Sequence, residues 1–390
     1  MSPALLILNA GSSSLKFAIY QPDTTGVLQS LLRGQVDAIG AGARLHVTDA
    51  SGHTDAAVTA PDPAQALACV LDWLDAHHPG LTLCAAGHRI VHGGAGYTAP
   101  VRVDAAVLAD LENLTPLSPL HQPHGLAGIR ALAQLRPDLP QVACFDTAFH
   151  HTLPPRARRF ALPRELEARG IRRYGFHGLS YEYIAGVLPD YLGEAADGRV
   201  VVAHLGNGAS LCALRARRSV ETSMSLTPLD GLPMATRCGA LDPGVLLHLL
   251  RVEGVSPAEL DDLLHHRSGL VGVSGISGDV RMLLASDDPH AAEALELFAY
   301  RTAQAIAAHA VALGGFDALV FTAGIGEHAA PVRAAIAGHL AWLGLVLDET
   351  SNVRHGPCIS APDSRVSAWV IPTNEESVIA RHTWALAGQP

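Results

Sequence analysis

The stretch "LLILNAGSSSLKFAIY" (residues 5–20) places a run of small polar residues between two hydrophobic runs. Each run has the length and composition of a β-strand, and the glycine and serines between them predict a hairpin turn. Successive backbone N–H groups in such a turn can converge on an anion, with serine hydroxyls as further donors. Lys16 follows the turn and is the only lysine in a chain with 26 arginines. Because a compact ammonium fits a crowded turn better than a planar guanidinium, Lys16 is a candidate phosphate ligand.

A second segment, "HLGNGASLCALR" (204–215), repeats the order strand, glycine-rich turn, Ser-Leu, strand. It lies about half a chain away, which is typical of duplicated domains. Five matching positions also arise by chance, so this echo alone leaves the duplication open. A third segment, "FTAGIGEHAA" (321–330), ends a hydrophobic strand in Gly-x-Gly before a predicted helix, an arrangement that lets nucleotide phosphates approach the backbone. Together the three segments favour a nucleotide site, although neither a P-loop nor a GxGxxG motif is present.

Elsewhere, strand-like and helix-like patterns alternate, which predicts an α/β fold. Further strands are predicted at 85–94, 141–146, 201–205, 211–215, 318–324 and 368–373. Helices are predicted at 64–77, 124–135, 179–188, 243–252, 291–313 and 329–342. A length of 390 residues predicts two domains.

The composition is 48% hydrophobic and 16% charged, as expected of a well-packed globular protein. A net charge of −10 argues against nucleic-acid and membrane-surface partners, which usually meet a basic face. The six cysteines are scattered without a CxxC pair, so we expect reduced thiols and a cytoplasmic protein. We find neither a signal-peptide pattern nor a hydrophobic segment of transmembrane length.

Nine motifs identify a family resemblance. They are "NAGSSSLKF", "GHRIVHGG", "PLHQPH", "FDTAFH", "YGFHG", "HLGNGAS", "TPLDGLPMATRCG", "FTAGIGEH" and "IPTNEE". In this order and approximate spacing, from residue 5 to about 382, they resemble acetate kinases, members of the acetokinase group within the actin and sugar-kinase superfamily. The resemblance implies two duplicated RNase H-like (actin-like ATPase) domains with an interdomain active-site cleft. It also implies Mg²⁺ (or Mn²⁺), a homodimer, and reversible phosphoryl transfer between ATP and acetate.

The resemblance also implies roles for individual residues. The catalytic set is Lys16, Arg89, His121, Asp146, His177 and Arg237. Arg89 and Arg237 resemble the family's two active-site arginines, whose planar forks suit carboxylate and phosphoryl oxygens. His177 resembles the histidine that donates to the phosphoryl group in the transition state, and His121 one of supporting role. Because a carboxylate substrate is already ionised at pH 7, we expect Asp146 to orient an arginine or a Mg²⁺-bound water.

Binding positions follow from the same motifs. The substrate-binding positions are Arg89 and the small apolar pocket for the acyl methyl, which maps to Val91, Leu120, Phe176 and Pro228. The nucleotide positions map to Ser12, Ser14, Lys16, His204, Leu205, Gly206, Asn207, Gly208, Asp279, Val280, Arg281, Gly324, Ile325, Gly326, Glu327 and His328. The Mg²⁺ positions map to Asn9 and Glu375, a ligand set of one amide and one carboxylate that suits a cation keeping several waters.

This sequence departs from the family pattern in a few places. Ala240 replaces a common aspartate, Gly278 an asparagine, and His328 an asparagine near the adenine, while Ser225 and Leu226 replace a Gly-Phe pair. These departures bear on nucleotide selectivity and acyl preference rather than on a residue with a chemical role.

Other functions share parts of this pattern. A propionate or butyrate kinase differs by about one methylene of substrate, a difference that sequence does not resolve. A non-catalytic actin-like ATP-binding protein or a chaperone-type ATPase shares the nucleotide turns but does not require the arginines and His177. A sugar kinase requires an aspartate base for a neutral hydroxyl. From the resemblance we expect one lobe to comprise residues 1–146 with 375–390, and the other, nucleotide-binding lobe 147–374.

Overall fold

The computed structural model describes residues 2–11 and 13–388. The chain divides into two compact units, which we describe separately. Unit 1 comprises Met1–Phe149 and Asn374–Pro390, and unit 2 comprises His150–Thr373. Strands and helices are numbered along the chain.

Unit 1 is built on a mixed sheet. Its strands are β1 (Ser2–Ala10), β2 (Leu15–Pro22), β3 (Leu28–Asp37), β4 (Arg44–Asp49), β5 (Gly52–Ala57), β6 (Leu81–Ile90), β7 (Val101–Arg102) and β8 (Gln141–Phe145), in the order β5-β4-β3-β2-β1-β6-β8-β7. Its helices are α1 (Pro63–His77), α2 (Ala105–Asn113), α3 (Gln122–Leu135) and α15 (Glu375–Thr383). A π-helical turn, Trp384–Gly388, follows α15.

The core of unit 1 explains why these elements form. Residues 4–8 of β1 are buried, as expected of a central strand covered on both faces. Helix α1 begins where Asp62 accepts a hydrogen bond from the Gln65 N–H and Pro63 occupies the first turn. A Cβ at Gly87 of β6 would overlap the Thr383 side chain, so glycine there lets α15 pack closely on the sheet. This packing fixes the start of α15, where Glu375 lies.

Unit 2 has a second mixed sheet. Its strands are β9 (Arg199–Leu205), β10 (Ala209–Arg215), β11 (Arg218–Thr222), β12 (Ala318–Thr322) and β13 (Ser367–Val370), in the order β11-β10-β9-β12-β13. Its helices are α4 (Pro155–Arg158), α5 (Arg164–Ala168), α6 (Gly178–Leu192), α7 (Pro243–Arg251), α8 (Pro257–His266), α9 (Gly269–Ser274), α10 (Val280–Leu284), α11 (Pro289–Leu313), α12 (Ala323–His328), α13 (Ala330–Leu340) and α14 (Glu349–Val353).

The two units share one sheet topology. In unit 1, β3, β2 and β1 are antiparallel neighbours, and β6 and β8 continue in parallel. In unit 2, β11, β10 and β9 are antiparallel, and β12 and β13 continue in parallel. Each sheet therefore contains its first three strands as antiparallel neighbours in the order third-second-first, followed by two parallel strands from later in the chain, with a tight turn between the first two strands. The predicted α/β class with duplicated domains is confirmed.

Three predicted elements differ in their bounds. Strand β6 ends at Ile90, so residues 91–94, which include Gly93 and Gly94, lie outside the strand. Strand β13 ends at Val370, ahead of Pro372, which has no backbone N–H to extend a ladder. The Gly-x-Gly of residues 324–326 does not precede a helix but lies inside α12, which begins at Ala323 directly after β12.

Two further observations concern chemical environment. The six cysteines, all within the described residues, form no disulfide bond, as the scattered spacing predicts. Within the described ranges, none of the helices combines the length and apolar character needed to cross a lipid bilayer.

Candidate functional site

An arginine and an aspartate meet at one edge of the unit 1 sheet. Arg89 lies near the end of β6, and Asp146 directly follows β8, its parallel neighbour. Because the carboxyl ends of parallel strands share an edge, the two side chains face each other. Arg89 donates from Nε to Asp146 Oδ1 at 3.1 Å and from Nη2 to Oδ2 at 2.5 Å. The Asp146 side chain is 1% exposed, whereas Arg89 keeps 21% of its side chain exposed. The buried Asp146 carboxylate thus fixes the position of Arg89, and part of the Arg89 side chain remains accessible to solvent.

Asn9 and Glu375 lie beside the same guanidinium. Arg89 Nη1 donates to Asn9 Oδ1 at 3.3 Å, and Arg89 Nε is 3.8 Å from Glu375 Oε2. Glu375 is the first residue of α15, whose N-cap Asn374 accepts from the Ser377 N–H. Lys16 is exposed on β2, directly across from Asn9 in the hairpin register. The structure therefore brings together the predicted residues Asn9, Arg89, Asp146 and Glu375.

Burial shifts the acid–base properties of this cluster. It raises the pKa of Asp146, while the Arg89 guanidinium acts against that shift. Burial also raises the pKa of Glu375 to about 7; the Arg89 charge opposes this shift, Asp146 and Glu376 add to it, and Lys16 lowers it. For Arg89, burial disfavours the charge, but the Asp146 and Glu375 carboxylates outweigh it and raise the pKa of Arg89. The cluster holds a permanent cation and a carboxyl that exchanges its proton near neutrality.

In unit 2, a second arginine and a histidine meet at a glycine. A Cβ placed on Gly208 would lie 2.9 Å from Arg237 Nη2 and 3.2 Å from His177 Nε2. Glycine in this turn between β9 and β10 therefore lets both donors approach the backbone. Arg237 is anchored because its Nη1 donates to the Pro228 carbonyl at 2.7 Å. The predicted residues His177, Gly208 and Arg237 lie together.

The His177 ring is fixed from two sides. Its Nδ1 is 2.8 Å from Ser210 Oγ, and its ring stacks on His204 at a centroid distance of 4.2 Å and an angle of 20°. His204 Nδ1 is in turn 2.8 Å from Ser180 Oγ. His177 adopts a left-handed backbone conformation, φ 57°, immediately before α6. Such a conformation is strained for a residue other than glycine and is typical of functional positions.

A cavity of about 670 Å³ lies beside this pair. It is lined by Gly206, Asn207, Ala235, Thr236, Arg237, Gly278, Asp279, Val280, Arg281, Leu284, Gly324, Ile325, His328, Ala329 and Pro331. Eight of these are predicted nucleotide positions. The volume and the mixture of apolar walls with charged rim are typical of a small-molecule site.

The remaining predicted nucleotide positions lie elsewhere. Leu205 is fully buried, and His204 is almost so beneath His177. Gly208 lies at the Arg237–His177 pair, Gly326 is buried within α12, and Glu327 Oε1 accepts from the N–H groups of Ala323 and Thr373. Ser14 and Lys16 belong to unit 1, where Ser14 closes the turn by accepting from the Gly11 N–H. Ser12 lies outside the described residues.

The other predicted side chains are divided between the units. In unit 1, Val91 is buried, Leu120 is half-buried, and His121 precedes α3. In unit 2, Phe176 and Pro228 are buried, and the Phe176 carbonyl accepts from His150 Nε2 at 3.0 Å.

Sequence reasoning missed several residues of these sites. Ala235 and Thr236 line the cavity and stand next to Arg237 in "MATRCG", so their position in the motif was an available signal. Behind His177, Tyr181 lies outside the motifs, and Ser210 ends the motif "HLGNGAS" without any sequence signal that joins it to Tyr181 or His177. Arg333 is a fully buried cation that donates to the Gly326 and Glu327 carbonyls, and only the structure reveals it.

Two of the predicted residues offer oxygen atoms that could hold a cation. Over residues 2–11 and 13–388, no group of three or more His, Cys, Asp or Glu side chains is arranged to hold a metal ion. Asn9 and Glu375 offer an amide and a carboxylate oxygen beside Arg89. Such hard oxygen donors fit a cation of the Mg²⁺ type rather than a thiolate- or imidazole-bound metal.

Comparison with known proteins identifies relatives along the whole chain. The model of the acetokinase family matches residues 4–381. The acetate kinase of Rhodopseudomonas palustris (strain ATCC BAA-98 / CGA009) is 54% identical over 394 residues, which cover 99% of each chain. The acetate kinase of Rhizobium meliloti is 50% identical over 393 residues, again 99% of each chain.

Solved structures agree with this family. A propionate kinase from Francisella tularensis subsp. tularensis SCHU S4 has a TM-score of 0.92 and 38% identity, covering 99% of this chain and all of the other. The acetate kinase of Porphyromonas gingivalis has a TM-score of 0.88 and 35% identity, with the same coverage.

Proposed function

The chain belongs to the acetokinase family, and on that premise we propose that it transfers the γ-phosphoryl group of ATP to acetate, giving acetyl phosphate and ADP, and catalyses the reverse reaction. The observation that carries the proposal is the meeting of Arg237 Nη2 and His177 Nε2 at Gly208, beside a cavity of about 670 Å³. Phosphoryl transfer depends on alignment and on positive charge around the moving group, and these two donors supply both.

We assign the unit 2 cavity to the nucleotide. Its walls contain Gly206, Asn207, Gly324 and Ile325, where close backbone approach suits phosphates and ribose. Asp279 and Arg281 form the rim and pair with each other at 2.6 Å. Arg281 is 90% exposed, so its charge is free to turn toward a polyanion at little cost.

We assign Arg89 to the acetate carboxylate. A planar guanidinium binds a carboxylate bidentately, and the Asp146 pair holds the Arg89 plane in one orientation. Acetate is ionised at neutral pH, so the reaction needs no strong general base. Both carboxylate oxygens of Asp146 accept hydrogen bonds from Arg89, and we therefore propose that Asp146 orients the Arg89 guanidinium. In unit 1, we assign Lys16 and His121 to support of the phosphoryl group and substrate, and Val91 and Leu120 to the acyl methyl. In unit 2, Phe176 and Pro228 are the positions that the family motifs assign to the methyl.

We propose Mg²⁺, or Mn²⁺, as the cofactor, with Asn9 and Glu375 as protein ligands. Both offer oxygen atoms, and the raised pKa of Glu375 marks a carboxylate that gains from a nearby divalent cation. When bound, the ion neutralises charge on the polyphosphate. Arg89 contacts both ligands and keeps their oxygens together.

Propionate is a second candidate acceptor. The relative from Francisella tularensis, with a TM-score of 0.92, is a propionate kinase, so the fold accommodates that activity. One methylene changes discrimination by about 1–3 kcal/mol. We give acetate precedence because the relatives at 50–54% identity are acetate kinases. Comparing kcat/KM for acetate, propionate and butyrate decides between them.

We further propose that the protein is a cytoplasmic homodimer. Six described cysteines without a disulfide bond are typical of a protein in a reducing compartment. Helix α7 has no buried residue, and it exposes Val245, Leu247 and Leu250 to 39%, 47% and 36%. A second copy is the partner that this apolar helix suits. A Leu247→Glu variant is expected to elute as a monomer in size-exclusion chromatography with light scattering.

Trapping of acyl phosphate tests the proposed reaction. With ATP, Mg²⁺, acetate and hydroxylamine, we expect acyl hydroxamate that depends on both substrates. Arg237→Ala is expected to lower the rate by about 10³-fold or more, as the loss of a catalytic arginine does. Arg217→Ala, a surface arginine paired with Asp197, is the matched control and keeps full activity. No hydroxamate from the wild type, or an unaffected rate in a folded Arg237→Ala variant, contradicts the proposal.

A further inference from the structure

A chain of two hydrogen bonds lies behind His177. Tyr181 Oη is 2.5 Å from Ser210 Oγ, and Ser210 Oγ is 2.8 Å from His177 Nδ1. Tyr181 and Ser210 are both fully buried. Among the described residues, Ser210 is the hydrogen-bond partner of the Tyr181 hydroxyl. Two buried hydroxyl groups therefore lead to one nitrogen of the histidine.

The hydrogen atoms of this chain can be ordered by counting donors and acceptors. Burial raises the pKa of Tyr181 well above its usual value, so the phenol keeps its proton. If Tyr181 donates to Ser210, then Ser210 donates to His177 Nδ1, and each hydrogen has an acceptor. In the reverse order Nδ1–H donates to Ser210, Ser210 donates to Tyr181, and the Tyr181 hydrogen is buried without an acceptor. Because an unsatisfied buried donor is costly, the first order is favoured.

We propose that Tyr181 and Ser210 are positioning residues that hold His177 as the neutral tautomer with its proton on Nε2. This inference rests on the proposed function, because the proposed phosphoryl transfer is the reaction in which the Nε2 proton acts as a hydrogen-bond donor. Nε2 is the nitrogen that lies with Arg237 Nη2 against Gly208. The tautomer therefore presents an N–H donor, rather than a lone pair, beside the arginine. A lone pair there would repel phosphoryl oxygens, whereas a second donor stabilises charge that develops on them.

The surrounding rings prevent the imidazole from escaping this arrangement. The His204 ring stacks on the His177 ring at a centroid distance of 4.2 Å, and His204 Nδ1 is hydrogen-bonded to Ser180 Oγ. Ser180 Oγ is 2.9 Å from Thr373 Oγ1, which extends the fixed network. A flip of the His177 ring would place a carbon against Ser210 and lose the hydrogen bond. Stacking and the hydroxyl chain together define both the plane and the proton position of His177.

Nitrogen NMR of histidine reads the tautomer without reference to activity. In protein labelled with ¹⁵N-histidine, a His177→Gln variant assigns the two ring nitrogens of His177. We expect Nδ1 at the shift of an unprotonated nitrogen and Nε2 at that of a protonated one. In Tyr181→Phe, both shifts are expected to move toward a mixture of tautomers. A protonated Nδ1 in the wild type overturns the proposal. The measurement on the wild type decides this point even if the Tyr181→Phe variant does not fold.

Kinetics supply the second readout. Tyr181→Phe and Ser210→Ala are expected to lower kcat about tenfold, the equivalent of one hydrogen bond, with little change in KM for ATP. Ser210→Thr keeps a hydroxyl and is expected to restore most of kcat. Tyr191→Phe, on the same helix α6 but packed against Trp369, is the matched control. Unchanged kcat and unchanged shifts in Tyr181→Phe contradict the proposal. If the tautomer is as expected but no acyl phosphate forms, the proposed function fails and the positioning stands.

Discussion

Arg89 and Asp146 form two parallel hydrogen bonds, Nε to Oδ1 at 3.1 Å and Nη2 to Oδ2 at 2.5 Å, at adjoining strand ends. The carboxylate is buried and the guanidinium keeps one exposed side. A charged arginine free in solution samples many rotamers, whereas this one presents a single plane. The pair converts a flexible side chain into a preorganised carboxylate receptor.

We predict that Asp146→Asn weakens acetate binding and turnover together. The asparagine amide replaces one acceptor with an NH₂ group that faces Arg89 Nη2, so one hydrogen bond becomes a repulsive contact. We expect kcat/KM for acetate to fall about 100-fold, as for a 1 Å misplacement of a reacting group. Steady-state kinetics in the acetyl-phosphate-forming direction measure it.

Asp75→Asn is the control for that substitution. Asp75 also pairs with an arginine, Arg136, at 2.7 Å, but its side chain is 69% exposed. An exposed pair contributes little, so activity and stability are expected to remain at wild-type values. Wild-type kcat/KM in a folded Asp146→Asn variant would show that Arg89 does not depend on its partner.

Much of the fold follows from the sequence because its central strands are hydrophobic throughout. Strands β1 and β8 are continuous apolar runs, and α11 is bounded by Asp288, Pro289 and Gly314, which are strong capping signals. Strands β3, β4, β5, β7 and β11 escaped prediction. Of these, β4 and β5 lie at the edge of the unit 1 sheet and expose about half of their residues, so they lack a hydrophobic run.

The sequence predicted those site residues that lie in a recognisable motif. It did not predict residues whose role depends on contacts between distant parts of the chain. Arg89, Arg237 and His177 lie in long motifs that the family resemblance marks. Tyr181 and Ser210 are separated by 29 residues, on a helix and a strand, and no local pattern joins them. Only the folded chain brings their hydroxyls together.

A second prediction concerns the metal. Glu375→Gln is expected to raise the Mg²⁺ concentration for half-maximal activity at least tenfold, because a neutral amide is a weaker ligand for a hard cation than a carboxylate. Titrating activity with Mg²⁺ at fixed ATP measures this. Glu253→Gln, at a glutamate whose side chain is 57% exposed, is the control and keeps the wild-type requirement. An unchanged Mg²⁺ requirement in Glu375→Gln would remove this residue from the metal site.

Acyl-chain preference gives a third prediction. Val91 is 8% exposed, directly after β6, and is assigned to the methyl pocket. Val91→Ala opens space for one methylene, so the ratio of kcat/KM for propionate to that for acetate is expected to rise about tenfold. Val142→Ala, a fully buried valine of β8, lowers stability without changing the ratio. An unaltered ratio in Val91→Ala would place the pocket elsewhere.

The buried Arg333 supports a fourth prediction. Its Nη1 donates to the carbonyls of Gly326 and Glu327 at 2.8 and 3.0 Å, at the end of α12 beside the nucleotide cavity. Its Nε donates to Asn352 Oδ1 at 2.8 Å. Removing it leaves these buried acceptors unsatisfied, so Arg333→Met is expected to cost about 3 kcal/mol of unfolding free energy.

The effect on nucleotide binding distinguishes a role of Arg333 at the nucleotide cavity from a role in stability alone. Because the carbonyls belong to the α12 segment that lines the cavity, we expect Arg333→Lys, which keeps the charge but has one donor nitrogen in place of three, to raise KM for ATP several-fold while KM for acetate is unchanged. Arg354→Met, at an exposed arginine, is the control. Equal effects on both KM values would refute a specific link to the nucleotide.

The last prediction concerns acid stability. Burial lowers the pKa of His309 from 6.5 to about 4. Above pH 6.5 the residue is neutral in the folded and unfolded states, so it contributes no pH dependence. As the pH falls from 6.5 toward 4, the unfolded chain takes up a proton that the folded chain refuses, and stability is lost. Chemical denaturation at several pH values is expected to show His309→Gln losing less stability over this range, by about 3 kcal/mol at pH 4. His290→Gln, exposed on the same helix, should keep the wild-type slope, and an identical slope for His309→Gln would contradict the assignment.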